Sequence, residues 1–222
     1  MNAASRWTPP QVWRRSREVL RREGARSLAL RMVGELVYRR MILMRRPFDF
    51  SMRDVELDVP TTFRPLRIED LDLYLALRPD SDTEEIRRRF ELRHVCFGTF
   101  RGDRLVQACW IATERAYIDY LRAEIRLLSG VGYLYDLYAA PEARGLNLHR
   151  AMWPHVFRYF RNAGPIYVLA AFHPENGIQR IFVRLGFSAV GTVGYVGTGP
   201  ARRLFYRGEP VLAERPRRSR GL

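Results

Sequence analysis

The segment from Tyr133 to His149 constrains this chain more than any other. It reads Tyr-Leu-Tyr-Asp-Leu-Tyr-Ala-Ala-Pro-Glu-Ala-Arg-Gly-Leu-Asn-Leu-His. Tyr133 to Ala139 predicts a strand, and Pro141-Glu142 ends it. Arg144-Gly145 forms a loop, and a helix over 145–162 starts directly after it, with Pro154 as an internal kink or break. A strand, a tight loop and a helix start in immediate succession aim several backbone N–H groups and the positive helix end at one spot. That arrangement binds a pyrophosphate. Gly145 and Asn147 tolerate the positive φ that lets the backbone approach an anion, and Arg144 adds a fixed positive charge.

The charge is all arginine on the positive side. The 222 residues carry 38 arginines, no lysine and 24 acids, a net charge of +14. Absence of lysine removes Schiff-base chemistry and a Walker-type phosphate lysine, so an anion here must be held by arginine and backbone N–H. Residues 1–50 hold 12 arginines and 4 acids, and residues 200–222 hold 7 and 2. The span between, with 19 and 18, is near neutral. Basic ends attract polyanions, or are solvated tails. At 47% hydrophobic residues the chain can bury a core, and two cysteines exclude a disulfide scaffold and suit a reducing, cytoplasmic setting. No run reaches the ~20 apolar residues of a spanning helix. Arginines at 14, 15, 17, 21 and 22 break the apolar core a signal peptide needs.

Along the chain, helices are expected over 9–23 and from Ser27 to about Met44, the latter from Leu28, Met32, Leu36 and Val37 at helical spacing. This basic amphipathic extension, residues 1–55, could lie on an anionic membrane through residues 10–46, or dock on the rest of the chain or a second subunit as in a homodimer. Residues 56–210 then form the main domain and 211–222 a basic tail. Its elements are a strand at Phe63–Leu66, a helix from Ile68 to Leu77, a helix 83–93 capped by Asp82, and strands Val95–Phe100 and Leu105–Ala112 about a Gly102-Asp103 hairpin. In that register Cys96 faces Cys109. Residues 115–129 fit either a helix or an irregular strand. A strand at Ile166–Ala171, a helix at Asn176–Leu185 and strands at Phe187–Tyr195 and Arg203–Arg207 complete the order. The fold class is α/β of the α+β type, a mixed and largely antiparallel twisted sheet flanked by helices.

Two segments resemble the GCN5-related N-acetyltransferase superfamily. Ala139-Ala-Pro-Glu-Ala-Arg-Gly-Leu-Asn-Leu-His149 is similar to its acyl-CoA pyrophosphate loop, usually Val-x-Pro-x-Tyr-Arg-Gly-x-Gly-x-Gly. His173-Pro-Glu-Asn176, followed by Phe182-Val-Arg-Leu-Gly-Phe187, is similar to its Asn…Tyr-Glu-Lys-Leu-Gly-Phe segment. The resemblance covers about residues 60–207. Asn147 and His149 replace the two later loop glycines, and Phe182 replaces the tyrosine that often protonates the departing thiolate.

The resemblance implies acetyl or other acyl transfer from acyl-CoA, by direct attack in a ternary complex, to the amine of a small molecule such as an amino sugar or amino acid. Acyl-CoA would be co-substrate, with no metal. The cofactor site would comprise Leu137, Tyr138 and Ala139, the loop residues Arg144, Gly145, Leu146, Asn147, Leu148 and His149, and Asn176, with pantetheine between strands 133–139 and 166–171. Asp136, mid-strand, is a candidate base, or it holds a nearby loop by hydrogen bonds. His173 is a second candidate base, or a turn residue before Pro174. Tyr135 and Tyr138 are candidate acids or core residues, and Asn176 either orders its turn or contacts pantetheine. Other readings remain open: a long-chain transferase served by an acidic acyl carrier protein docked on the basic ends, or a non-catalytic acyl-CoA-binding or anionic-surface-binding module. Nucleic-acid binding rests on charge alone.

Overall fold

The computed structural model describes residues 37–49, 52–161, 165–174 and 178–218. The helix expected over 9–23, the first part of the one from Ser27, and Asn176 lie outside these. Among the described residues one eight-stranded sheet organises the fold, in the order β10-β9-β1-β8-β7-β4-β3-β2. Its strands are β1 (Tyr38–Pro47), β2 (Thr62–Pro65), β3 (Val95–Arg101), β4 (Arg104–Ala112), β7 (Val131–Ala139), β8 (Tyr167–Phe172), β9 (Ser188–Val196) and β10 (Arg203–Gly208). Only β7 and β8 pair in parallel; the other neighbours are antiparallel. A small sheet holds β5 (Arg115–Ile118), β6 (Ala123–Arg126) and β11 (Arg217–Arg218). Among the described residues four helices pack around them: α1 (Leu71–Leu77), α2 (Thr83–Glu91), α3 (Leu148–Phe160) and α4 (Ile178–Arg184). This is the mixed, largely antiparallel α/β architecture expected from the sequence.

From Tyr38 to Met44 the expected helix is instead strand β1. It lies between β8 and β9, with Leu43 opposite Ala171 on one side and Gly191 on the other. The physical reason is two-sided burial. Met41 and Leu43 enter one core cluster while Met44 enters another, with Ile42 packed against the same one as Met44. A short unbroken apolar run bounded by arginine pairs suits a central strand buried on both faces. The apolar patch once available for a membrane surface is thus core. Gly194 of β9 makes the close packing possible, because a Cβ there would strike the Arg39 carbonyl and the Phe205 ring.

Alternation along the strands defines two faces. On the first, Leu134, Val168 and Ala170 meet Met152, Trp153, Val156 and Phe157 of α3 and Phe182 of α4. Pro154 sits inside α3 without ending it. On the second face the cover is split. Leu71, Tyr74, Leu77 and Ile86 of α1 and α2 cover β3 and β4 at one end. Ala116, Ile118, Leu121, Ala123 and Ile125 cover β1, β8 and β9 at the other. The ambiguous 115–129 segment is therefore a hairpin, β5 and β6 joined through the 3-10 turn Asp119–Leu121 and a left-handed Arg122 (φ 47).

Local signals otherwise act as read. The Asp82 carboxylate accepts from the N–H groups of Glu84 and Glu85 and starts α2. The β3–β4 register differs by one residue. A bulge between Thr99 and Phe100 sets Cys96 opposite Trp110 and Phe97 opposite Cys109. The two cysteines belong to different core clusters and are buried free thiols. Burial pushes both thiols up, Cys109 to about 12.

Candidate active site

Between the two covers of the second face runs β7, with Tyr133 buried in one cluster and Tyr135 packed against both. β7 and β8 pair from Val131↔Tyr167 to Leu134↔Ala170, and the ladder stops there although both strands continue. The cause is a bulge on the other side of β7. Trp110 of β4 faces Tyr135 and Ala108 faces Tyr138, so Asp136 and Leu137 together oppose Cys109. Asp136 adopts φ 48, a left-handed conformation unusual outside glycine. Beyond Leu134 and Ala170 the two parallel strands are no longer paired, which leaves an unbridged slot in the ladder.

β7 runs from this slot into the phosphate-type loop. Pro141–Ala143 form a 3-10 turn, Gly145 takes φ 83, and Asn147 takes φ 55 as the residue before α3. The first hydrogen bonds of α3 are those from the N–H groups of Arg150 and Ala151 to the Asn147 carbonyl. The N–H groups just upstream therefore have no carbonyl within the helix and point off its end. Leu146 is exposed, Leu148 is buried, and burial lowers the His149 imidazole below its ordinary value. Arg144 is exposed and donates Nε–H to the Ala139 carbonyl at 3.2 Å, which fixes its guanidinium where β7 ends.

Asp136 is tied down. Its carboxylate accepts from Arg89 Nη1 at 2.6 Å, Arg78 Nη1 at 2.8 Å and the Tyr74 hydroxyl at 3.2 Å, with its side chain 8% exposed. Burial alone would raise this carboxyl, but Arg89 and Arg78 outweigh it and hold it below the usual carboxylate range. Arg89 also pairs with Glu85 and lies over the rings of Trp110 and Tyr135. Tyr135 Oη meets His94 Nδ1 at 2.6 Å, and burial, followed by the charge of Arg89, lowers His94 to about 4. This network clamps the bulge to α1 and α2. None of its arginines was singled out from sequence, because they lie 58 and 47 residues from Asp136.

Two groups flank the slot. His173 follows β8, and its Nε2 lies 3.0 Å from the Tyr120 hydroxyl. Extending the parallel register brings it level with Leu137 and Tyr138 across the gap. Tyr138 is half-buried under the Arg78 guanidinium, 4.6 Å from its ring centre. Phe182 is buried against Phe172 and Phe187 and supplies no hydroxyl. Tyr120 was missed as a site residue; it lies in the segment that sequence left ambiguous.

The chain is similar to solved structures at 11–18% identity. Its structural neighbours include several GCN5-related N-acetyltransferases. One from Sphaerobacter thermophilus is 16% identical, with 83% of this chain and 58% of that chain covered and a TM-score of 0.49. AAC(6')-Iy, in complex with the bisubstrate analogue CoA-S-monomethyl-acetylneamine, is 18% identical over 68% of this chain and 99% of that chain, with a TM-score of 0.48. A Drosophila protein is 18% identical over 79% of this chain and 56% of that one, with a TM-score of 0.49. The chain thus spans under two thirds of two of these neighbours. No family model and no curated protein matches the sequence. Among the described residues no helix is long and apolar enough to cross a membrane.

Proposed function

We propose that the protein transfers an acyl group, acetyl in the simplest case, from acyl-CoA to a primary amine. The observation that carries this reading is the opening between β7 and β8, continued by the loop with left-handed Gly145 and Asn147. An extended pantetheine can pair with strand backbone inside such a slot, and the pyrophosphate can sit on the N–H groups before α3, with Arg144 beside it. Nothing in this scheme needs a lysine.

The thioester then reaches the bulge, between His173 and Tyr138. The amine loses a proton to the imidazole of His173, a side chain that can accept one. Its nitrogen attacks the thioester carbonyl, and backbone N–H groups of β7 beyond the bulge stabilise the oxyanion. The C–S bond breaks, the nitrogen gives up its second proton to reach the neutral amide, and that proton passes to the thiolate through the Tyr138 hydroxyl or water, since Phe182 has no hydroxyl to relay it. Asp136 shapes the bulge and does not accept the proton, because two arginines already hold its carboxylate.

Acyl-CoA binding and thiol release over a panel of amines test this. CoA binding by the full chain, weakened about three- to tenfold in Arg144→Ala by loss of a charge-assisted contact, is the expected result. Unchanged binding in Arg144→Ala would remove the loop from the cofactor site. Binding with no thiol release from any amine would leave a binding module.

A further inference from the structure

On the second face, beyond Tyr120, four arginines gather: Arg39, Arg122, Arg202 and Arg218. Arg202 lies between the 3-10 turn Gly199–Ala201 and β10, with its Cζ 3.7 Å over the ring of Tyr195. Its Nε and Nη2 are buried and have no hydrogen-bond partner. Those two atoms form one edge of the guanidinium, the fork that takes both oxygens of a carboxylate. A buried, unpaired fork is costly in a native fold. Arg122, exposed, stands next to Ala123, which pairs with the exposed Arg218 of β11. Arg39 on β1 is opposite Tyr195 and donates Nη1–H to the Tyr120 carbonyl at 3.1 Å. Arg218, Arg122 and Arg39 add to burial in lowering Arg202, against an opposing effect of Tyr195. Among the described residues no ion pair engages Arg122, Arg202 or Arg218, whereas Arg217 beside them is taken by Glu214 at 2.6 Å. Asp119 bears on Tyr117 together with Arg122 and Arg202, so one carboxylate shares this neighbourhood with an excess of guanidinium groups.

We infer that Arg202, with Arg122 and Arg218, forms an oxyanion site that binds the carboxylate of an amino-acid acceptor. The inference rests on the acyl-transfer reading for the acceptor's role. Position supports it. The Tyr120 carbonyl receives Arg39 and the Tyr120 hydroxyl meets His173, so one residue links the base to Arg39, which lies opposite Tyr195 in the sheet. An α-amino acid has its amine and carboxylate on one carbon, and a longer amino acid spans further. The cofactor phosphates do not compete for it, since α3 packs on the opposite face from Tyr195. Arg122 and Arg218 are long, exposed side chains that can reorient toward a ligand.

The test uses the full chain and the twenty L-amino acids against their carboxamides, with acetyl-CoA and thiol release as the readout. Folding of each variant is checked by circular dichroism. The wild type is expected to prefer the carboxylate form at least about tenfold in kcat/KM, the size of one charge-assisted fork. Arg202→Gln, and separately the exposed Arg122→Gln, lose most of that preference through KM, and Arg202→Lys regains part of it. Arg203→Gln, on exposed surface beside the cluster, keeps it. Carboxamides acetylated as well as acids, or preference intact in Arg202→Gln, overturns the site while leaving acyl transfer standing. If no amine is acylated, the transfer reading fails and a phosphate titration decides the site alone. A rise in Tm with inorganic phosphate in wild type and Arg203→Gln, absent in Arg202→Gln, upholds it, and an equal rise in all three overturns it.

Discussion

Replacing Asp136 with Asn separates a clamp from a base. In the folded protein this carboxylate carries two guanidinium contacts, at 2.6 and 2.8 Å, and Arg89 is 7% exposed. Asn keeps the shape but leaves Arg89 without its main counter-charge away from Glu85. Breaking one member of a buried pair costs about 3–5 kcal/mol. For a chain of this size each kcal/mol lowers Tm by roughly 2–4 °C, so Asp136→Asn should melt about 6–20 °C lower at neutral pH. The effect has a pH signature. Asp136 has a depressed pKa when folded, so its contribution is present above the unfolded value of about 4 and is lost as pH falls through the lower, folded value. The gap in Tm between wild type and variant should therefore close as pH drops below about 4. Scanning calorimetry from pH 3 to 8 measures it, with thiol-release rates followed beside it. A variant that melts within about 2 °C of wild type but loses its rate over the whole pH range would refute the clamp and return Asp136 to the role of base.

Other outcomes follow from single features. His173→Ala should cut the rate about 10²- to 10⁴-fold, the usual worth of a general base, with little change in CoA binding, measured by titration calorimetry. Gly145→Val should abolish measurable CoA binding with the fold intact by circular dichroism, because a β-branched residue resists φ 83. A variant lacking residues 1–50 should be insoluble, since it removes a ten-residue strand paired on both sides; a soluble product with native circular dichroism would show β1 to be dispensable. Neither cysteine should react with a thiol reagent at pH 8 until denaturant is added, because both thiols are buried and shifted up.

What could be read in advance followed from how local the physics is. Asp82 caps α2 through N–H groups two and three residues away, and Asn147 takes the left-handed turn its side chain tolerates. The loop from β7 to α3 is nearly complete within a dozen residues. By contrast, Met41 to Met44 carries no periodicity, since successive residues face two different cores. The helical spacing upstream then set the wrong expectation for it. The bulge between Thr99 and Phe100 moved Cys96 by one position, a change no turn rule foretells. Asp136 was visible as an acid mid-strand, but its meaning depends on Arg78 and Arg89, and β11 meets β6 across about ninety residues of chain. Such partners are fixed by topology and cannot be found by spacing.

The strand at Tyr38–Pro47 also changes how the charge must be understood. Along the sequence, the excess of arginine sits at the two ends and the middle is nearly neutral. In the sheet β1 pairs with β9 and β9 with β10, while β11 joins the hairpin above them. Arg39 from the first end and Arg202 and Arg218 from the last therefore arrive beside the same tyrosines, with Arg122 from the middle. Solvated tails would leave their charges diffuse and easily screened. A pair of buried guanidinium N–H groups is different, since salt screens such groups far less than exposed ones. The two contributions are thus separable in one experiment. Raising salt should erase attraction by exposed arginines but leave most of the carboxylate preference that depends on Arg202.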